Sequence, residues 1–289
     1  MSVEQLVAVW RDRGQPLSVR DASTRIWREG SGEPVVCLHG VPASGFLYRK
    51  VLPALASRGL QGVTLDFPGL GLADRPETFD YSWSGLSEWT VNALDAAEIG
   101  NFHLVVHDIG GPIGFDVIRR IGERVRSLTV LNTFVRVATF RRPWVMEPFA
   151  HRGIGWLWLQ GLRTPIIIAL LRTQGMHDGP TNEELRAYGA LLLREDGGRA
   201  FLKIMRSFER TADYEARIMK ALESRLFPAQ LIWGAEDPAL KMQVHAPPLC
   251  QALGLNDWHR VRGKHFVQED SPDEIAEQVA TLAAGTVRT

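Results

Sequence analysis

Short apolar runs with β-like composition recur along the chain, and stretches with helical periodicity separate them. Such an alternation predicts an α/β protein, with a mostly parallel sheet that is covered by helices on both faces. The predicted strands are RIWRE at 25–29, PVVCLHG from 34, GVTLDF from 62, FHLVVHD from 102, SLTVLN from 127, AQLIWG from 229 and WHRVRG from 258.

The strand pattern stops between about residues 134 and 225, where helical stretches rich in Trp, Leu and Arg replace it. Thr181 and Glu184 have the spacing of a capping box, which predicts a helix start there. We therefore predict a helical cap domain over 134–225, inserted after strand 6 into a core domain that consists of 1–133 and 226–289. Gln160, Arg163 and Pro165 interrupt the most apolar run of this cap, so membrane insertion is not expected.

Composition narrows the possible partners. The 289 residues are 45% hydrophobic, and 33 basic residues balance 33 acidic ones, so neither nucleic acid nor an anionic membrane is expected. Cys37 and Cys250 lack the spacing of a disulfide framework or a zinc site. The N-terminus does not have the pattern of a signal peptide, and a cytoplasmic location fits these features best. The sequence leaves a homodimer open.

An aspartate stands at the end of an apolar predicted strand, in VVHDIGGPIG at 105–114. Gly110 and Gly111 permit a sharp strand-to-helix turn with close backbone approach. This is the geometry of a nucleophile elbow, which presents one side chain above a helix N-terminus. The usual elbow is G-x-S-x-G, whereas Asp108 takes the nucleophile's place here. A carboxylate can displace a leaving group from saturated carbon, although capping of the helix is an alternative role for Asp108.

Two further polar residues follow predicted strands in an order that suits this elbow. Asp237 lies in LIWGAEDPAL and His265 in VRGKHFVQED, so the chain order is nucleophile, acid, histidine. Each residue alone is ordinary for a turn, but the three together indicate an enzyme. The loop HGVPASGFLYR supplies a backbone N–H near Val41, which together with that of Ile109 predicts an oxyanion hole.

The segments HGVP, DFPGLGLADRP, HDIGG, GAEDP and HFVQEDSP, in register over nearly the whole chain, resemble the α/β-hydrolase fold superfamily, in the group of haloalkane dehalogenases and epoxide hydrolases. The resemblance implies an α/β-hydrolase fold, a small apolar organic substrate, water as the second reactant and no cofactor. Asp108 would attack carbon to form an alkyl ester, and His265, held by Asp237, would activate water. The N–H groups of Val41 and Ile109 would then hold the oxyanion.

The leaving group is inferred from the donors that the site offers. Haloalkane dehalogenases typically have a Trp after the nucleophile and a second donor in the HGNP loop or the cap, but Ile109 and Val41 occupy the first two positions here. Epoxide hydrolysis instead needs an acid, which the relatives supply from cap tyrosines or a histidine. We therefore expect epoxide hydrolysis to a diol ahead of dehalogenation. Cap candidates are Tyr214, His151, Tyr188 and His177 as acids, and Trp144, Trp156 and Trp158 as halide donors.

Other activities fit the residues less well. The elbow has no serine and Ser44 has no base signature, which disfavours a serine esterase. His103 and His107 are four residues apart on a predicted strand, a spacing that brings metal ligands together only on a helix. Ile109 cannot bind a substrate carboxylate as the Arg of fluoroacetate dehalogenases does. A non-catalytic receptor for hydrophobic ligands on the same fold remains a further alternative.

Overall fold

Strands and helices alternate along the computed structural model, which describes residues 1–161, 165–177 and 179–286. The strands are β1 Gln15–Leu17, β2 Thr24–Glu29, β3 Pro34–Leu38, β4 Gln61–Leu65, β5 Phe102–His107, β6 Val125–Leu131, β7 Ala229–Gly234 and β8 His259–Val261. The helices are α1 Val3–Arg13, α2 Val51–Ala56, α3 Trp83–Ala96, α4 Gly110–Ile121, α5 Ile154–Gly161, α6 Pro165–Leu170, α7 Asn182–Leu193, α8 Arg199–Arg206, α9 Ala212–Glu223, α10 Met242–Leu253, α11 Val267–Asp270 and α12 Pro272–Thr286.

The eight strands form one sheet in the order β1-β2-β4-β3-β5-β6-β7-β8. β2 is antiparallel to both of its neighbours, and every pairing from β4 to β8 is parallel. Parallel strands need crossover connections, and helices supply them here. The carboxyl ends of β3 to β8 consequently meet at one edge of the sheet, where open α/β sheets bind their ligands.

All seven predicted strands are present, which confirms the mostly parallel α/β sheet. β1 was not predicted; it is a three-residue strand with two exposed residues and a central proline. Proline is tolerated because β1 lies at the edge of the sheet and pairs on one side only. So short a strand, without apolar alternation, carries no signal in the sequence.

The described residues between β6 and β7 contain helices and turns but no strand. The capping box at the start of α7 is confirmed, because the hydroxyl of Thr181 accepts the N–H of Glu184 and the carboxylate of Glu184 accepts the N–H of Thr181. α9 packs on α4 and α10. The division into a core and a cap over 134–225 stays a prediction, and residues 162–164, which include Arg163, lie outside the described residues.

Within the described residues, no helix has both the length and the apolar character needed to cross a bilayer.

Candidate active site

The turn between β5 and α4 holds Asp108 in a conformation that few residues adopt. Its φ is 51°, in the left-handed region. Such a backbone needs support from its surroundings, and the backbone N–H of Asp108 donates to the carbonyl of Asn132 while the hydroxyl of Thr133 donates to the carbonyl of Asp108. A Cβ on Gly110 would lie 2.6 Å from the carbonyl oxygen of His39, so the predicted close approach of the glycine turn is present.

The carboxylate of Asp108 is held by backbone donors. The N–H of Val41 donates to Oδ2 at 2.8 Å, and the N–H of Ile109 also interacts with this carboxylate. A Cβ on Gly40 would lie 2.3 Å from Oδ2, so only glycine leaves room for the carboxylate there. Burial raises the pKa of Asp108, and the charge of His265 and the two N–H groups offset only part of that shift.

The imidazole of His265 lies between two carboxylates. Its Nδ1 is 3.0 Å from Oδ2 of Asp237, and its Nε2 is 3.8 Å from Oδ1 of Asp108. Burial alone would lower the pKa of His265, but the charge and hydrogen bond of Asp237 and the charge of Asp108 together raise it above the usual 6.5. The backbone carbonyl of His265 is 2.8 Å from Nε2 of His107, a residue considered above only as a metal ligand.

Every acceptor position of the Asp237 carboxylate faces a donor. Oδ1 accepts the N–H groups of Ala239 and Leu240 at 2.8 and 2.9 Å, and Oδ2 accepts Nδ2 of Asn132 at 2.7 Å besides His265. The side-chain oxygen of Asn132 in turn accepts the N–H of Gly234 at 3.0 Å. The sequence analysis missed Asn132, although an Asn at the end of the buried run SLTVLN was a readable signal.

An apolar cavity of about 110 Å³ lies above this group. We use "core wall" for its lining residues outside 140–208 and "cap wall" for those within 140–208. The core wall consists of Val41, Pro42, Asp108, Ile109, Ala239, Leu240, His265 and Phe266. The cap wall consists of Phe140, Arg142, Pro143, Val145, Met146, Phe149, Trp158, Leu170, Leu171, Gln174, Gly175, Tyr188, Leu192, Met205 and Phe208.

Most of the predicted cap residues do not line this cavity. The expectation that Tyr214 faces the site is wrong, because it lies in α9, is fully buried against Trp83 and donates its hydroxyl to the carbonyl of Pro112. His151 is exposed, and its Nε2 lies 3.6 Å from Oε1 of Glu147. Nε2 of His177 lies 3.2 Å from Oε1 of Glu236. Trp144 and Trp156 are exposed as well. Apolar periodicity could not separate these surface positions from lining ones.

Two predicted cap residues line the cavity, but their donors are used elsewhere. The hydroxyl of Tyr188 donates to the carboxylate of Glu269, and Nε1 of Trp158 donates to the carbonyl of Val145 at 3.1 Å. Burial, followed by the charge of Glu269, raises the pKa of Tyr188 well above 10, so its proton is tightly held. Neither side chain therefore presents a free donor to a leaving group.

The remaining polar groups of the cap wall are Arg142 and Gln174, and the sequence analysis missed both. Arg142 lies in TFRRPW, where nothing in the sequence distinguishes it from the exposed Arg141 beside it. Among the described residues, no group of three or more His, Cys, Asp and Glu side chains is arranged to hold a metal ion.

Comparison with known proteins agrees with this architecture. The family model described as alpha/beta hydrolase fold matches residues 33–272. The chain is 29% identical to Haloalkane dehalogenase 1 of Mycobacterium tuberculosis over 265 residues, which are 88% of this chain and 84% of that protein. It is 26% identical to Haloalkane dehalogenase 2 of the same organism over 257 residues, 86% of this chain and 87% of that protein.

Solved structures show the same fold at lower identity. The crystal structure of the haloalkane dehalogenase DbeA from Bradyrhizobium elkani matches with a TM-score of 0.79 at 20% identity, over 95% of this chain and 98% of that one. The family model covers most of the chain. The chain therefore belongs to the alpha/beta hydrolase fold family, has haloalkane dehalogenases among its relatives, and is a hydrolase.

Proposed function

We propose that this hydrolase cleaves a carbon–halogen bond of a small apolar haloalkane through an alkyl ester on Asp108. The observation that carries the proposal is the placement of Asp108. Its carboxylate lies on a strained turn, between backbone N–H groups and the imidazole of His265, at the base of an apolar cavity. Helix capping does not call for such surroundings, and a nucleophile does.

The first step is displacement at saturated carbon. Oδ2 of Asp108 is held by the N–H of Val41, and Oδ1 faces the imidazole, which leaves Oδ1 as the attacking atom. A bond forms between Oδ1 and carbon, the carbon–halogen bond breaks, and the halide leaves with the electron pair. The raised pKa of Asp108 reflects a desolvated carboxylate. Such a carboxylate is a stronger nucleophile than a hydrated one, because it need not shed water before it attacks.

The second step is hydrolysis of the ester. His265 takes a proton from water through Nε2, and the hydroxide formed attacks the carboxyl carbon of Asp108. The N–H groups of Val41 and Ile109 stabilise the oxyanion, and His265 returns its proton to the departing alcohol. Asp108 is left as a carboxylic acid, and loss of its proton restores the carboxylate. Overall, haloalkane and water give alcohol, halide and that proton.

Two features favour a halide over an epoxide. The named relatives are haloalkane dehalogenases, and the acid that epoxide opening would take from Tyr214 is directed away from the cavity. Epoxide hydrolysis is the second candidate, because Val41 and Ile109 replace two donors that haloalkane dehalogenases typically have. The family assignment and the triad geometry favour turnover over the receptor alternative.

The experiment is intact-protein mass spectrometry of His265→Gln after exposure to 1-bromobutane and, separately, to 1,2-epoxybutane. Without the base, ester hydrolysis stops and the intermediate accumulates. We expect a mass gain equal to the butyl group, which peptide mapping places on Asp108. The double variant Asp108→Asn, His265→Gln is the matched control and should gain nothing.

The alternatives give different masses. A gain of the whole epoxide on Asp108 would favour the second candidate. Turnover by the wild type without any adduct in His265→Gln would refute the covalent role of Asp108.

A further inference from the structure

Arg142 is a buried cation of the cap wall whose one paired carboxylate, that of Glu147, lies at the long end of ion-pair distance. Its side chain is 4% exposed, and its Nη2 donates to the carbonyl of Met205 at 2.7 Å. Its Nη1 lies 3.7 Å from the carboxylate of Glu147, which is half exposed and beyond hydrogen-bond distance. Nε has no hydrogen-bond partner. The guanidinium carbon also lies 4.6 Å from the ring centroid of Phe208, a cation–π contact. Burial, followed by the charge of Arg210, lowers the pKa of Arg142, and Glu147 offsets only part of that shift.

Two other arginines with little exposure differ from Arg142 because each has a carboxylate within hydrogen-bond distance. Arg75 lies 2.7 Å from the carboxylate of Asp196 and also donates to three carbonyl groups. Arg49 is bound by the carboxylates of Glu184 and Glu269. An arginine is rarely buried unless it is paired, and a buried group without its partners calls for an explanation. Neither Arg49 nor Arg75 lines the cavity, whereas Arg142 does.

The reaction itself creates an anion inside the cavity. Displacement moves one negative charge from Oδ1 of Asp108 to the leaving group. The leaving group departs on the side of the carbon opposite the attacking oxygen, which directs it away from the core wall that carries Asp108. The titratable side chains that line the cavity, among the described residues, are those of Asp108, Arg142, Tyr188 and His265. The Tyr188 hydroxyl is neutral and bound to Glu269, so the Arg142 guanidinium is the permanent cation available to a departing anion.

We propose that Arg142 binds the departing halide and supplies the charged donor that Val41 and Ile109 cannot supply. This inference rests on the proposed function. The guanidinium gives a charge-assisted hydrogen bond in an apolar cavity, where such a bond is strong. Other small monovalent anions of similar size should compete with the halide for this position beside Arg142.

The test measures bromide binding directly, with sodium bromide as the probe. Wild type, Arg142→Met, Arg142→Lys and the matched control Arg141→Met are titrated by thermal shift and, with an active substrate, by competitive product inhibition. Arg141 is the exposed neighbour, so its replacement removes the same charge without touching the cavity. Sodium propionate replaces bromide in a parallel titration, because a substrate carboxylate would satisfy the same guanidinium.

We expect bromide to bind the wild type saturably and Arg142→Met about 10- to 100-fold more weakly, the loss of one hydrogen bond to a charged group. Arg142→Lys should retain part of the affinity, and Arg141→Met should stay within about threefold of wild type because an exposed charge is screened.

Three results would overturn the inference: no saturable bromide binding by the wild type, unchanged bromide affinity in a folded Arg142→Met, or tighter binding of propionate than of bromide. The absence of saturable bromide binding is tested on the wild type, so the inference can be refuted even if Arg142→Met does not fold. The butyl adduct of His265→Gln reports on Asp108 independently. An adduct together with unchanged bromide affinity would refute Arg142 alone, whereas bromide binding without turnover or adduct would refute the proposed function.

Discussion

The core wall and the cap wall differ in how their polar groups are held. On the core wall, Nδ1 of His265 lies 3.0 Å from Asp237, a carboxylate behind the cavity surface that also accepts Nδ2 of Asn132. The N–H of Val41 holds Asp108, whose Oδ1 lies 3.8 Å from Nε2 of His265.

On the cap wall, fifteen residues contribute mostly apolar surface. The donors of Trp158 and Tyr188 are used elsewhere, and Nε of Arg142 has no hydrogen-bond partner. A side chain whose hydrogen bonds are all made can hold its geometry through a reaction, and one with a spare donor can bind a ligand.

This difference assigns separate tasks to the two walls. The core wall determines the type of reaction, because it fixes the nucleophile, the base and the oxyanion donors on strand ends. The cap wall determines which carbon and which leaving group enter. Damage to the core wall should therefore lower every activity, and changes in the cap wall should alter the preference among substrates.

The largest effect is expected for Asp108→Asn. The neutral amide retains the shape and the contact with the N–H of Val41 but cannot displace a halide. We expect kcat/KM to fall by about 10³-fold or more, as for other covalent nucleophiles, with both bromobutane and epoxybutane. Halide release from bromobutane, diol formation from epoxybutane and thermal melting curves check the result. A residual rate above a tenth of wild type would contradict covalent catalysis.

Asp237→Asn should give the next largest effect and a change in pH dependence. His265 acts as a base only when it is neutral, and its raised pKa places the acid limb of wild-type activity above pH 6.5. Activity should therefore rise as the pH increases through that limb. Without the charge of Asp237, the pKa of His265 falls and the limb moves to lower pH, while kcat decreases by about 10²- to 10⁴-fold.

Pre-steady-state kinetics can refine this pH prediction. The charge of Asp108 is one of the causes that raise the pKa of His265. Esterification removes that charge at the moment when His265 must act as the base. The acid limb of the pH profile for ester hydrolysis should thus have a lower apparent pKa than the one that NMR titration finds for His265 in the free enzyme. Equal values would show that Asp108 does not influence His265.

The core wall could be predicted from the sequence, and the cap wall could not. Asp108, Asp237 and His265 each follow an apolar strand, and parallel topology then brings strand ends to one edge whatever the details of packing. Tyr214 and Trp144 were assigned to the cavity from their position in the chain alone. The rotation of α9 decides where Tyr214 points, and the path of a turn decides where Trp144 points. Arg141 and Arg142 are adjacent and alike in sequence, and only the folded backbone buries one of them.

Tyr188→Phe should have the smallest effect on activity, and it separates the two candidate functions. The ring of Tyr188 lines the cavity and stacks on Phe266, while its hydroxyl donates to the buried carboxylate of Glu269. Loss of the hydroxyl removes a hydrogen bond to a charged group, so the free energy of unfolding should fall by about 1.5–3 kcal/mol. The haloalkane rate should change by less than about threefold, because no step of the displacement uses the phenol.

Tyr214→Phe is the matched control for this variant, since it removes a buried tyrosine hydroxyl outside the cavity. Denaturant unfolding and rates with both substrates distinguish the outcomes. If Tyr188→Phe abolished epoxide opening while Tyr214→Phe did not, the phenol of Tyr188 would have to exchange its bond to Glu269 for one to the ring oxygen. The cap wall would then contain an acid as well as an anion site, and the epoxide would become the better substrate class. If both variants kept both rates, the polar chemistry of the cap wall would be left to Arg142 and Gln174.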